Sequence, residues 1–191
     1  AEDLFAKGPA IREAIGTGLP TLAVCGGFQL FGQRYVDADG DVIPGIGVFE
    51  METRHPGDDI KRAVGNVLLH TNFGEVVGFE NHGGRTYLAG GQVAFGTVIE
   101  GQGNNATDRS EGARLKNAIG TYLHGSLLPK NPAIADFLLG AALQRLYGEE
   151  ASLTPLDDKL ERAAHSSVRS LTQRHQGESI VHQLLRRLRL G

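Results

Sequence analysis

The only cysteine of the sequence lies where an apolar run changes into a glycine-containing turn. Residues 21–24 are typical of a strand, Gly26 and Gly27 follow Cys25, and the next residues have helical character. A thiol at such a strand-to-helix turn lies near a helix N-terminus, whose N–H groups and dipole favour the nucleophilic thiolate. Ala23 and Gly27, two residues on either side of Cys25, are small, and we expect them to let the strand and the helix pack closely. The same stretch is equally compatible with a buried structural cysteine.

A nucleophilic cysteine needs a base, and the sequence contains seven histidines. His124 stands out because it lies, with Gly125, at the end of residues 116–125, which predict a strand. Ligands gather at the carboxyl ends of strands in open α/β sheets, so a strand-terminal cysteine and histidine can meet in one crevice. His124 would take the thiol proton and return it to a leaving amine. The alternative is a histidine that only makes a hydrogen bond near a strand end.

The elements that must position Cys25 are a helix and a strand before it and a short helix after it. Apolar residues recur at helical spacing over residues 3–15, and residues 21–25 predict the strand. The short helix is predicted over residues 26–34. Asp39-Gly40 lies between two β-type runs and predicts a turn.

The rest of the chain changes character twice. Residues 42–100 contain short β-type runs without an intervening helix, which predicts antiparallel or mixed pairing. Residues 101–112 are polar and aperiodic, so we expect an exposed loop. An apolar stripe from Ile134 to Leu146 predicts a helix whose last third lies in the core. The tail predicts two further helical segments, separated at Gln176-Gly177.

Composition narrows the class of protein. A net charge of −3 gives no general attraction to nucleic acid, and one cysteine excludes an internal disulfide and any multi-cysteine metal site. The sequence has no apolar run of transmembrane length and no signal-peptide pattern, so we expect a cytoplasmic protein. We predict one domain over residues 1–150 and a C-terminal helical extension over residues 151–191. The end of the chain is basic and amphipathic, which would suit contact with a membrane surface or a partner, but we favour the interpretation that it keeps a terminal helix soluble. The basic residues are Arg186, Arg187 and Arg189.

Three motifs occur in an order that resembles a known enzyme family. The stretch Ala23-Val24-Cys25-Gly26-Gly27-Phe28-Gln29 resembles the nucleophile motif of class I (triad-type) glutamine amidotransferases, in the branch of the cobyric acid and cobyrinic acid amide synthases. Gly78-Phe79-Glu80-Asn81-His82-Gly83-Gly84-Arg85-Thr86, and the stretch from Gly120 through Pro132, look like the glutaminase subunits of lipid II isoglutaminyl synthases. The resemblance covers residues 1 to about 165.

The resemblance implies both a fold and an activity. The expected fold is α/β, a three-layer class I amidotransferase-like (flavodoxin-like) mixed sheet with flanking helices, here without its N-terminal strands. The implied reaction is hydrolysis of L-glutamine to glutamate and ammonia through a thioester on Cys25, with His124 as general base and acid. By the same resemblance Arg62 and Gly26 bind substrate. An arginine fork suits an α-carboxylate, although the residues alone favour a solvated side chain at a strand end for Arg62.

The resemblance also implies a partner. In this family a Mur-ligase-like synthetase subunit uses the ammonia and ATP to amidate the D-glutamate of lipid II in peptidoglycan synthesis. ATP and Mg are therefore expected on the partner of a heterodimer, and no cofactor or metal is expected on this chain. A lipid II substrate would place the pair near the inner face of the membrane.

Two departures from the family pattern bear on activity. Many class I amidotransferases carry a glutamate two residues after the histidine to orient it, and here that position is Ser126. Either Cys25 and His124 work without an orienting carboxylate, or the acid is Glu80 of this chain or an acid of the partner. We favour the partner, which would tie hydrolysis to assembly. In addition, the family's first strands and a Gly-rich loop that supplies an oxyanion-hole amide have no counterpart in this sequence.

Three alternatives remain open from the sequence. The first is the glutaminase domain of a cobyric acid or cobyrinic acid amide synthase, although those domains follow an ATP-binding domain and no P-loop pattern is present here. The second is a non-catalytic docking module of the same fold, against which the presence of Cys25 and His124 argues. A generic cysteine hydrolase is the third.

Overall fold

The first elements follow the predicted order of helix, strand and helix. The structure, a computed structural model, describes residues 2–188, with side chains described as far as residue 173. Helix α1 (Glu2–Gly16) leads to strand β1 (Thr21–Val24), and helix α2 (Gly26–Phe31) begins two residues after β1 ends. Cys25 is therefore the single residue between the strand and the helix, as the sequence predicts.

Short strands form a first four-stranded sheet in the middle of the chain. Strands β2 (Arg34–Val36) and β3 (Val42–Pro44) are an antiparallel pair around the predicted Asp39-Gly40 turn. Strand β2 also pairs in parallel with β4 (Met51–Arg54), and β4 pairs in antiparallel with β7 (Arg85–Leu88). The pairing is mixed, as expected for strands without helices between them.

A second four-stranded sheet is built on a long hairpin. Strands β5 (Ala63–Thr71) and β6 (Gly74–His82) pair in antiparallel along their full length. Strand β5 pairs on its other edge with β8 (Gly96–Glu100), which pairs with β9 (Ser110–Glu111). The order across the sheet is β6-β5-β8-β9.

The predicted exposed loop over residues 101–112 is wrong in part. It contains β9, and its residues Asn104 and Glu111 are completely buried. The reason is that the Asn104 side chain joins the two ends of this stretch. Its amide donates to the carbonyl of Gly112 at 3.0 Å, and its side-chain oxygen accepts the Gly112 N–H at 2.8 Å. Polar composition thus reflected internal hydrogen bonds rather than exposure.

A third sheet contains the two strands that lead to Cys25 and to His124. Strand β11 (Ala118–Thr121) lies between β1, with which it runs parallel, and β10 (Ala113–Leu115), with which it runs antiparallel. Val24 is opposite Thr121 in this register. The strand predicted over residues 116–125 is therefore shorter, and His124 lies three residues beyond its end.

Strand β11 separates two apolar clusters. Ala118 and Tyr122 belong to a cluster with residues of α1 and α2, whereas Ile119 and Leu123 belong to a second cluster with the β5, β6 and β8 side chains. Successive side chains of a strand point to opposite faces, so β11 is covered on both. The α/β class with helices flanking mixed pairs of strands is confirmed, with the strands divided among three sheets.

Gly120 of β11, rather than Gly27, is where the elbow requires a small residue. A Cβ added at Gly27 would meet nothing within 4 Å, which contradicts the expected close packing there. A Cβ at Gly120 would lie 2.3 Å from Cδ2 of Phe28 and 2.7 Å from Cε2 of Phe49. Phe28 lies on α2, so the helix packs through its phenylalanine against the bare backbone of β11.

Three helices complete the described chain. Helix α3 (Leu127–Lys130) precedes α4 (Pro132–Tyr147), of which only the N-terminal half packs on the second cluster. The prediction that the last third of α4 lies in the core is wrong, since Leu146 is 73% exposed. The apolar stripe continues beyond the part of the helix that has a neighbour.

The tail forms one helix rather than two. Helix α5 (Lys159–Leu188) runs through Gln176-Gly177, and Arg169 forms an ion pair with Glu75 of β6 at 2.6 Å. The basic end of the chain lies outside the residues whose side chains are described, and the division at residue 150 stays a prediction. Within residues 2–188 no helix combines the length and apolar character needed to cross a membrane.

Replacing Gly120 tests the packing of the elbow. We expect Gly120→Ala to lower the free energy of unfolding by about 2 kcal/mol or more, because the new methyl group must displace Phe28 and Phe49. Gly27→Ala is the matched control, since it adds the same methyl group in open space within a helix and should be neutral or slightly stabilising. Urea unfolding measures both. A Gly120→Ala protein as stable as Gly27→Ala would contradict this packing.

Candidate active site

Cys25 is held in a backbone conformation that non-glycine residues rarely adopt. Its φ is 51° and its ψ is −110°. Its N–H donates to the carbonyl of Thr121 at 2.9 Å, and its carbonyl accepts the Gln29 N–H at 2.9 Å. The first bond continues the β1–β11 pairing, and the second closes the first turn of α2. Strain of this kind, about 1–3 kcal/mol, persists where the surroundings fix it and is common at active sites.

The half-buried Cys25 lines a cavity of about 390 Å³. One wall is the end of β6 and the turn after it, and the other is the 55–62 segment between β4 and β5. The side chains that line the cavity include two histidines, His82 of the first wall and His55 of the second, and one carboxylate, Asp58 of the second. A cavity of this size suits a small metabolite.

Arg62 lines the same cavity and is held by Asn81. Its Nε and Nη2 donate to Oδ1 of Asn81 at 3.2 and 3.1 Å, and Nη2 also donates to the Asn81 carbonyl at 3.1 Å. The guanidinium group is thus fixed although the residue is exposed, and its remaining N–H groups are free of these bonds. The structure brings together two of the residues singled out from the sequence, Cys25 and Arg62.

His124 lies at the same sheet edge as Cys25, because β1 and β11 are parallel and both residues follow the ends of these strands. Its N–H donates to the carbonyl of Phe79 on β6 at 2.8 Å. Its Nε2 atom is buried and has no hydrogen-bond partner among the described residues. A buried nitrogen without a partner is costly, and such groups are often kept for function. His124 itself is not one of the residues that line the cavity.

Gly26, the first residue of α2, lies beside the cavity rather than on its wall. It lines an adjoining apolar cavity of about 230 Å³, which shares Gln29 and Tyr35 with the first. Among the residues whose side chains the structure describes, none caps the N-terminus of α2. The N–H that follows Cys25 is therefore not used by a cap.

Glu80 is buried, but its carboxylate is engaged away from His124. Its two oxygens accept the N–H groups of Gln102 and Gly103 at 2.8 and 2.9 Å. Oε2 also lies 3.6 Å from Nε2 of His82, which is too long for a hydrogen bond. No hydrogen bond from Glu80 to the His124 ring occurs in the described part of the chain. Glu80, the candidate orienting acid of this chain, is therefore not hydrogen-bonded to His124 in this structure.

His82 and Tyr122 are two further residues of the site that the sequence analysis did not single out. Their rings stack with centroids 3.6 Å apart and planes 7° from parallel. The His82 ring is bonded through Nδ1 to the carbonyl of Gly84 at 2.9 Å. The alternation of β6 places Glu80 and His82 on one face, a signal that could have paired them.

Tyr122 links this stack to the wall of the cavity. Its hydroxyl lies 2.6 Å from Oγ1 of Thr86 and accepts from Nε2 of Gln29 at 3.1 Å. Burial raises the pKa of Tyr122 to about 12, with the charge of Cys25 acting in the same direction and the hydrogen bonds opposing it. The phenol therefore stays neutral and acts as a fixed support between β11 and α2.

Glu111 is a second buried acid that the sequence analysis missed. It accepts the Tyr122 N–H at 2.7 Å and the Thr121 hydroxyl at 3.0 Å. The pKa of Glu111 is raised from 4.5 to about 7, mainly by burial and in smaller part by the nearby charge of Glu80, although the hydrogen bonds from Tyr122 and Thr121 act to lower it. Because β9 was predicted as part of an exposed loop, no sequence signal marked this acid.

The raised pKa of Glu111 predicts a pH dependence of stability. A carboxyl whose pKa rises on folding from 4.5 to about 7 stabilises the folded state fully below pH 4.5, and this contribution is lost as the pH rises through 7. The difference in free energy of unfolding between wild type and Glu111→Gln should therefore fall by up to about 3 kcal/mol over this range. Urea unfolding of both proteins at several pH values measures it. An unchanged difference across the range would contradict the raised pKa.

Comparison with known proteins shows which family of proteins the chain resembles. The family model for the CobB/CobQ-like glutamine amidotransferase domain matches residues 2–132. Subunit GatD of lipid II isoglutaminyl synthase (glutamine-hydrolyzing) from Staphylococcus aureus (strain N315) is 44% identical over 136 residues, which are 71% of this chain and 54% of that protein. The GatD subunit of Streptococcus pneumoniae (strain ATCC BAA-255 / R6) is 41% identical over 162 residues, which are 84% of this chain and 62% of that protein.

More distant matches agree with this placement. Cobyric acid synthase of Nocardia farcinica (strain IFM 10152) is 33% identical over 132 residues, which are 63% of this chain and 24% of that protein. A crystal structure of a glutamine amidotransferase shares the fold, with a TM-score of 0.53 over 71% of this chain and 67% of that chain at 16% identity. The chain spans only 54–62% of the length of the two GatD relatives.

Proposed function

Because the chain belongs to the CobB/CobQ-like glutamine amidotransferase domain family, we propose that it hydrolyses the side-chain amide of L-glutamine. The observation that carries the proposal is that Cys25 and Arg62 line one cavity, with the thiol at a strained elbow and the guanidinium held by Asn81. A fixed guanidinium is suited to the α-carboxylate of an amino acid. Glutamine bound in this way would extend its amide from Arg62 toward Cys25.

The proposed reaction proceeds through a thioester. His124 takes the thiol proton while Sγ of Cys25 forms a bond to the amide carbon of glutamine. The carbon–nitrogen bond then breaks, and the nitrogen leaves as ammonia with the proton returned by His124. Water attacks the glutamyl thioester, which releases glutamate and restores the thiol. The Gly26 N–H, which directly follows the nucleophile and is not used by a cap, is suited to hold the oxyanion.

The acid that orients His124 is assigned to the partner subunit in this proposal. Glu80 is the acid of this chain expected from the sequence, but its two oxygens already accept backbone N–H groups. Ser126 stands where related enzymes carry a glutamate. A base without its orienting acid is slow, so supply of the acid by the partner would couple glutamine hydrolysis to assembly.

The proposed partner is a Mur-ligase-like synthetase that uses ATP and the released ammonia to amidate D-glutamate of lipid II. The support is similarity: two subunits of lipid II isoglutaminyl synthase are 44% and 41% identical to this chain, against 33% for a cobyric acid synthase. The glutaminase domain of a cobyric acid or cobyrinic acid amide synthase is the second candidate function. A non-catalytic docking role is disfavoured by the presence of both Cys25 and His124 and by the strained backbone of Cys25, since such strain is common at active sites.

Arg62 provides a direct test of substrate binding. In Arg62→Ala, KM for glutamine should rise roughly 30-fold, a loss of about 2 kcal/mol, while kcat changes little, because the lost contact is made equally in the ground and transition states. Lys61→Ala is the matched control, since Lys61 is the adjacent cation and does not line the cavity. Steady-state glutamate release measures both variants, with Cys25→Ala as the inactive reference. An unchanged KM in Arg62→Ala would contradict this role.

Partner dependence tests the assignment of the orienting acid. Glutamine hydrolysis by the full-length protein should be at least about tenfold faster with the copurifying synthetase than without it, because assembly completes the His124 site. The control is the same complex with Cys25→Ala, which removes hydrolysis by this chain. Equal rates with and without the synthetase would exclude a partner-supplied acid.

A further inference from the structure

Glu111 is a buried carboxylate whose side-chain hydrogen bonds all go to the segment that precedes His124. Oε1 accepts the Tyr122 N–H at 2.7 Å and the Thr121 hydroxyl at 3.0 Å, and Oε2 lies 3.1 Å from the same hydroxyl. These residues are the last of β11 and the one after it. The carboxylate therefore holds the backbone where the chain leaves the sheet.

The hydroxyl of Thr121 extends this hold by one residue. It donates its proton to Glu111 and accepts the N–H of Leu123 at 3.1 Å. The next N–H, that of His124, donates to the carbonyl of Phe79 on β6. The backbone from Thr121 to His124 is thus fixed residue by residue, by Glu111 on one side and by β6 on the other.

Stability alone does not account for an acid at this place. Glu111 is completely buried, and within the described part of the chain no Lys, Arg or His forms an ion pair with it. The charged group that acts on it is another acid, Glu80. Burial of an unpaired carboxylate is costly, and apolar replacement of buried ionic groups is often neutral or stabilising. What the acid supplies is a strong acceptor at a fixed point.

We propose that Glu111 is a positioning residue for His124, acting through the Tyr122 N–H and the Thr121 hydroxyl to set the path of the chain that carries the imidazole. The inference rests on the proposed function, in which His124 is the base for Cys25. Glu111 is not one of the residues that line the cavity shared by Cys25 and Arg62. A shift of about 1 Å in the imidazole is enough to reduce a rate by orders of magnitude.

The test compares three variants of the full-length protein purified with its partner, with wild type and His124→Ala as the two references. Glu111→Leu removes both acceptors, whereas Glu111→Gln keeps one oxygen for Tyr122 and Thr121. Asn131→Ala is the control for a general loss of packing, because Asn131 is a buried polar residue with three side-chain hydrogen bonds to Val77 and Leu127 and none to residues 121–124. All variants are compared at a temperature at which each is folded.

Two readouts separate positioning from stability. Glu111→Leu should lower kcat for glutamine at least about tenfold and leave KM within about twofold, and it should slow alkylation of Cys25 by iodoacetamide toward the rate of His124→Ala. Glu111→Gln should retain kcat within about threefold, since the acceptor geometry is kept. Asn131→Ala should lose stability but retain both rates. Cys25 is the only cysteine of this sequence, so peptide mass spectrometry reads its alkylation directly.

Each other outcome overturns the inference. If kcat and the alkylation rate of Glu111→Leu match those of Asn131→Ala, Glu111 only stabilises the fold. If Glu111→Gln is as slow as Glu111→Leu, the charge matters rather than the position of the acceptor. The alkylation comparison also decides the inference in a protein that does not hydrolyse glutamine, so failure of the proposed function is recognised separately, by absence of glutamate release in wild type.

Discussion

The parallel pairing of β1 with β11 is the constraint on which the arrangement of the site depends. It brings the carboxyl ends of both strands to one edge, so that Cys25 and the segment carrying His124 leave the sheet side by side, although 99 positions separate them in sequence. The bond from the Cys25 N–H to the Thr121 carbonyl extends the pairing to the strained residue itself. Because β11 is covered on both faces, two apolar clusters hold it in position.

The local part of this arrangement can be predicted from the sequence. The apolar run before Cys25 and the glycines after it predict the elbow, and the strand-terminal histidine predicts the shared edge. The glycine that allows close packing at the elbow is not the predicted one. Nothing packs against Gly27, whereas the Phe28 ring packs against Gly120. That contact joins residues far apart in the chain, so local spacing cannot reveal it.

The buried polar groups also depend on contacts between distant parts of the chain, which local sequence patterns do not show. Glu111 and Asn104 lie in a stretch whose composition is that of an exposed loop, and they are buried because they bond to backbone groups that the sequence does not show to be near. Only the family resemblance indicates Arg62, and its fixed guanidinium depends on Asn81 across the β5–β6 hairpin. In α4 the prediction fails in the other direction, since residues expected in the core are exposed. An apolar stripe indicates a face that can be buried, but it does not show whether another element covers that face.

The central claim is that Cys25 attacks glutamine, and trapping the covalent intermediate tests it most directly. The full-length protein with its partner would be quenched in acid during turnover of ¹³C-labelled glutamine, and its peptides analysed by mass spectrometry. The account predicts a labelled glutamyl group on the peptide that contains Cys25. Glutamate formation without any labelled adduct on that peptide, or with the adduct on another residue, would contradict it.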